Sequence, residues 1–216
     1  NDPKLTSANI DKRWAQCIDL HIKEYAKNGL TNFVSISPFN EPDFGWSQGR
    51  NPEAVRMADM KAVVVSLRND FDGAYDNVRM CGGNTLNDDR ALEWWNYMKD
   101  VLDEGNTHQL AGDFAHYADF FQKVREYGHH ATADELHNTM EAMVGVEYGM
   151  QTGIWWGTCE YTRSQFMKAT DHKNPGRRLA YGEHRPNWTA ASVYRHPDGS
   201  VQAFGGTSER QAKTTD

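Results

Sequence analysis

The chain alternates helical and strand-like stretches at an even pitch, and nothing else constrains its fold as strongly. Apolar residues at helical spacing open it, with Ile10, Trp14, Cys17, Ile18, Ile22 and Tyr25 running to a stop at Gly29. A β-prone run follows at residues 33 to 37. Asn51-Pro52 starts a second helix with an Ala54, Val55, Ala58, Ala62 and Val63 stripe. The pattern repeats through "VRMCGG", a third helix capped by Asp88 and running to about Leu102, and the weak strand "THQLAG". Asp113 is read as the cap of a fourth helix carrying Tyr117, Phe120, Phe121 and Val124, stopped by Gly128. "HHATADELHN" reads as a strand from its place in the series. Asn138 and Glu141 form a capping box for a fifth helix, and "TGIWWG" reads as a buried strand. This order, α-β-α-β-α-β-α-β-α-β, predicts an α/β fold with a parallel sheet flanked by helices.

The strand midpoints fall near residues 36, 80, 109, 133 and 154, about 30 residues apart on average. A β/α barrel of about 250 residues uses about 31 per unit, and a doubly wound sheet has similar spacing. After residue 176 the pattern changes. "TAASVYRHPDGSVQAFGG" alternates, turns at Pro197-Asp198-Gly199 and alternates again, as a β-hairpin does. The expected division is residues 1–176 as the α/β part and 177–216 as the start of an all-β domain.

Composition bounds the chemistry. A net charge of -7 disfavours nucleic acid, whose phosphates call for a basic surface. Seven tryptophans suit flat apolar ligands such as sugar rings. Three scattered cysteines, Cys17, Cys81 and Cys159, do not make a disulfide framework and read as small core residues. Nine histidines show no H-E-x-x-H or paired C-x-x-C spacing, so no metal is expected. No phosphate loop, and hence no nucleotide cofactor, is indicated. No signal peptide and no apolar run of membrane length is apparent.

Two carboxylates stand out. Glu41 follows its strand at once in "FVSISPFNEPDFGW", and Glu135 follows the strand read at 131 to 134. They are 94 residues apart, close to three barrel units of about 31, and strand ends so related face each other across a barrel mouth. Two carboxylates about 5 Å apart suit retaining glycoside hydrolysis, in which one donates a proton and the other attacks the sugar. Asp134, adjacent to Glu135, is expected on the opposite face of an extended strand. Glu141 is assigned to helix capping and Glu147 to the helix. Glu160 could reach the mouth after the last strand.

The stretch "SPFNEPDFGW" resembles the Asn-Glu-Pro motif that closes the fourth strand in clan A glycoside hydrolases, which are retaining β/α-barrel enzymes. The resemblance covers roughly residues 10 to 172. It implies that Glu41 is the acid/base, that Asn40 contacts the sugar 2-hydroxyl, and that Glu135 in "ADELHN" is the nucleophile. It implies strands 4 to 8 of a (β/α)8 barrel, followed by the start of a β-sandwich. His108 would hydrogen-bond the nucleophile, Asn84 would contact substrate, and Trp46 would line the cleft, with Gln48 and Arg50 reaching distal sugars. One of Trp155 and Trp156 would floor the sugar site. A polysaccharide or oligosaccharide substrate follows from the resemblance, as does secretion or export to the periplasm. Galactan, agar-like, xylan and glucan chains are all compatible.

A barrel of five strands has two open edges, so the missing segment is expected in a longer chain, of which this is an excerpt, or in a companion chain. The rival readings are a non-catalytic carbohydrate-binding barrel, with the two carboxylates more than about 9.5 Å apart, and a doubly wound Ser or Cys enzyme. The second lacks a G-x-S-x-G elbow.

Overall fold

A computed structural model describes residues 10–44 and 51–208. Its first part alternates six helices and five strands: α1 (Ile10–Lys27), β1 (Ser35–Ile36), α2 (Glu53–Asn69), β2 (Arg79–Asn87), α3 (Asp88–Met98), β3 (Glu104–Ala111), α4 (Phe114–Glu126), β4 (His130–Leu136), α5 (Thr139–Tyr148), β5 (Thr152–Trp155) and α6 (Tyr161–Thr170). The five strands pair in chain order, all parallel, into one sheet. Parallel strands joined in chain order through helices have the connectivity of part of a β/α barrel.

The helix signals translate with local corrections. Asp113 and Asn138 cap α4 and α5 by accepting from the Ala115 and Glu141 amides. The α5 box closes differently from the expected one, because the Glu141 carboxylate reaches the His137 amide at 2.8 Å. The cap of α3 is Asn87, with Asp88 inside the helix, and α3 ends at Met98. On α2 the buried face is carried by Met57, Met60, Val63, Val64 and Leu67, while Ala54 and Ala58 are exposed. The larger side chains remove more apolar area from water, so they set which face turns inward. Cys81 is buried, but Cys17 and Cys159 are exposed, against the expectation of three core residues. The sequence reading had no helix at Tyr161–Thr170. Glu160 turns out to be its cap, accepting from the Thr162 and Arg163 amides rather than reaching the barrel mouth.

The second part is a three-stranded antiparallel sheet: β6 (Arg177–His184), β7 (Thr189–Arg195) and β8 (Val201–Thr207), with a 3-10 turn at Arg185–Asn187. The β7–β8 hairpin turns at Pro197-Asp198-Gly199, where Gly199 has φ 87 and donates to the His196 carbonyl. This sheet packs on the helices of the first part. Trp188 meets Phe114 edge-on at 5.3 Å, and Ser208 Oγ donates to Gln109 Oε1 at 3.0 Å. The core is continuous from Met60 and Leu67 through Trp94, Phe120 and Met143 to Phe166, Tyr194 and Phe204. Among the described residues no helix is long and apolar enough to cross a membrane.

Candidate active site

The Asn-Glu-Pro turn is held from three sides. On the α1 side, the Trp14 indole donates to the Pro38 carbonyl at 2.7 Å and its ring stacks on Phe39, centroids 5.6 Å apart and 7° from parallel. Asp43 accepts from the Leu86 and Asn87 amides at 2.8 and 2.9 Å, tying the turn to the end of β2. Burial pushes the Asp43 carboxyl up, against the opposing effect of those amides. Arg56 of α2 donates to the Asp43 carbonyl at 2.7 Å. So Phe39 serves the turn by packing, whereas Phe44 is 61% exposed.

Within this frame Glu41 is buried at φ 47, a left-handed backbone that residues with a Cβ rarely adopt. Its amide donates to the Asn84 carbonyl at 2.9 Å, which fixes that conformation. Asn84 is itself left-handed, at φ 48. It is the extra residue where β2 pairs Gly83 with Asn106 but Thr85 with Thr107, a β-bulge. Rather than facing an open cleft, its side chain is buried and engaged: Oδ1 accepts from Ser37 Oγ at 2.7 Å and Nδ2 donates to Asp134 Oδ2 at 2.9 Å.

His108, 1% exposed on β3, stands at the centre. Its Nε2 is 2.9 Å from Asp134 Oδ1, and its Nδ1 is 3.2 Å from Glu41 Oε1 and 3.6 Å from Glu135 Oε2. Burial alone would push the ring's pKa down. The hydrogen bonds to Asp134 and Glu41, with the charges of Asp134 and Glu135, outweigh it and raise the pKa to about 9. At neutral pH the ring is an imidazolium that donates from both nitrogens. Donor atoms of Glu41, His108 and Glu135 all lie within 4.8 Å of one another. A metal ion could use such a spacing; the ring itself hydrogen-bonds Glu41 and Asp134, while Glu135, expected to be its hydrogen-bond partner, stands at ion-pair distance.

Asp134 corrects the expectation from strand alternation. Between Ala133, paired with Gly153, and Leu136, paired with Trp155, β4 advances three residues while β5 advances two. This irregularity lets Asp134 and Glu135 reach the same ring. His137, two residues past Glu135, places Nε2 at 3.3 Å from Glu135 Oε1. Spacing of two along a strand could have found His137 in the sequence. Nothing in the sequence marks the irregularity that turns Asp134 inward.

The two indoles separate. Trp156 is 60% exposed and stacks on His137, centroids 6.2 Å apart and 20° from parallel, beside the carboxylates. Trp155 lies instead in a groove between β5, α5 and α6 with Leu136, Val146 and Phe166, under the Arg163 guanidinium. Its expected role at the sugar site gives way to packing. Asn40 is exposed next to Glu41. Trp46, Gln48 and Arg50 lie outside the described residues.

No family model matches the chain, and no curated protein does. Among solved structures, the endo-beta1,6-glucanase BT3312 is similar in fold, with a TM-score of 0.57 over 90% of this chain at 14% identity. The chain spans 56% of that structure's length. The fold is therefore glycosidase-like.

Proposed function

We propose that the chain carries the catalytic pair of a retaining glycoside hydrolase acting on β-linked polysaccharide, on strands equivalent to 4 to 8 of a (β/α)8 barrel. One observation carries the reading. Carboxylate oxygens of Glu41 and Glu135, both at C-terminal ends of parallel strands, lie within 4.8 Å of each other. Retaining enzymes hold their carboxyls about 5 to 5.5 Å apart and inverting ones about 6.5 to 9.5 Å, because only the latter leave room for water. A non-catalytic barrel has no need of the short spacing.

In the proposed reaction Glu41, protonated, gives its proton to the glycosidic oxygen as the C1–O bond breaks. Glu135, ionised, attacks C1 from the opposite face, and a glycosyl ester forms. Glu41, now a carboxylate, takes a proton from water as that water displaces Glu135 from C1, restoring both groups. The bond from His108 Nδ1 to Glu41 Oε1 orients the acid. Trp156, stacked on His137, offers an exposed face to the apolar side of a sugar ring. Asn40, exposed next to the acid/base, is the proposed partner of the sugar 2-hydroxyl.

The test is hydrolysis across β-glucans, galactans, agar-like chains and xylans, with product analysis. A β1,6-glucan belongs first in that panel because of the fold neighbour. Glu135→Ala is expected to abolish cleavage while keeping oligosaccharide binding. Near wild-type cleavage by that variant would reject the assignment.

A further inference from the structure

We propose that Asp134 is a positioning residue for this reaction, acting through His108 to hold Glu41 and to present a fixed donor beside Glu135. The inference rests on the hydrolase reading and extends it to a carboxylate whose two oxygens both accept from protein donors.

The geometry assigns both Asp134 oxygens. Oδ1 accepts from His108 Nε2 at 2.9 Å and Oδ2 accepts from Asn84 Nδ2 at 2.9 Å. Two local departures from regular pairing create this meeting, one adding Asn84 to β2 and one shifting β4 at Asp134-Glu135. Such irregularities re-aim side chains, and here they aim two at each other. The contacts then close on the acid. Asn84 holds the Glu41 amide through its carbonyl at 2.9 Å, and His108 holds the Glu41 carboxylate through Nδ1 at 3.2 Å. Asp134 is thus linked to both the backbone and the side chain of Glu41. A ring with one nitrogen held by a carboxylate presents its other N–H in a fixed orientation. The ionisable groups facing the ring are Glu41 from the turn after β1 and Asp134 and Glu135 from β4. All three are acidic, which agrees with its raised pKa.

The test uses Asp134→Asn, which keeps one of the two oxygen acceptors and removes the charge, with Asp134→Ser if the first variant does not fold. Histidine is labelled with 15N, and the His108 signals are assigned by their absence in His108→Gln. In the wild type both ring nitrogens are expected to stay protonated through pH 8. In the variant the ring should titrate at least about one pH unit lower, the effect of losing one close opposite charge. With the polysaccharide the protein cleaves, kcat should fall roughly a hundredfold, the scale of a misplacement of about 1 Å, with KM little changed. The alkaline limb of the kcat profile should move down with the ring. An unshifted ring with unchanged kcat overturns the proposal. The ring titration needs no substrate, so it judges the coupling even where no polysaccharide is cleaved and the hydrolase reading fails.

Discussion

Glu41 occupies a strained backbone, and strain at one residue persists only when its surroundings over-determine it. Here the Asn84 carbonyl, the Asp43 tether and the Trp14–Phe39 stack do so. Replacing Glu41 by Ala should slow cleavage of unactivated glycosides by about 10²- to 10⁴-fold, the usual worth of a general acid. Activated aryl glycosides should suffer much less, since they need no proton, and comparing the two substrates checks the role. His108 makes a second prediction. Its folded pKa is raised from the ordinary 6.5 to about 9, so its stabilisation is full below about pH 6.5 and lost as pH rises through about 9. Melting temperatures of the wild type should therefore fall toward those of His108→Gln over that window. Constant separation of the two curves would contradict the charged ring. Glu41 was legible because strand, turn and Asn-Glu-Pro coincide within a few residues. Glu135 was legible only through its spacing from Glu41, and Asp134 not at all, because alternation assigns neighbours to opposite faces unless a strand is irregular.

At the scale of elements, strong periodicity read through and weak composition did not. Tyr117, Phe120, Phe121 and Val124 are all fully buried on α4, as their spacing implied. The parallel strands are harder to read because several of their buried positions are polar: Glu104 of β3 accepts from Ser35 and Arg79, and Thr85 pairs with Thr107 at 2.8 Å. Only Phe166 and Ala169 of α6 are buried, too few to make a stripe. Strand β6 is mostly exposed, so its sequence lacks the alternation that betrayed the hairpin. The packing of the antiparallel sheet on α5 depends on one close approach. A Cβ at Gly206 would lie 2.8 Å from the Met140 backbone nitrogen, whereas one at Gly205 would meet nothing within 4 Å. Gly206→Ala should cost about 1–3 kcal/mol, the range for overpacking, and lower the melting temperature. Gly205→Ala should leave it nearly unchanged, and equal effects from the two would show that the contact does not matter.

For the whole molecule, the parallel sheet has β1 and β5 at its edges, with Val34 59% exposed beside β1 and Ile154 54% exposed within β5. A groove of about 790 Å³ opens along β5, lined by Val146, Met150, Trp155 and Phe166. Free strand edges are templates for pairing. We propose that further β/α units, from the same or a companion polypeptide, occupy these edges and close the barrel. Light scattering after gel filtration should then find the 216-residue chain alone as larger species, and a well-behaved 24.6 kDa monomer would contradict it.

What everything else needs is that two distant acids converge closely enough for one to bond the sugar the other has released. Proton NMR of the first product formed from a β-linked polysaccharide reads this directly. The β-anomer should appear first and then mutarotate. Initial release of the α-anomer would mean a single displacement by water, and would contradict the roles given to Glu41 and Glu135.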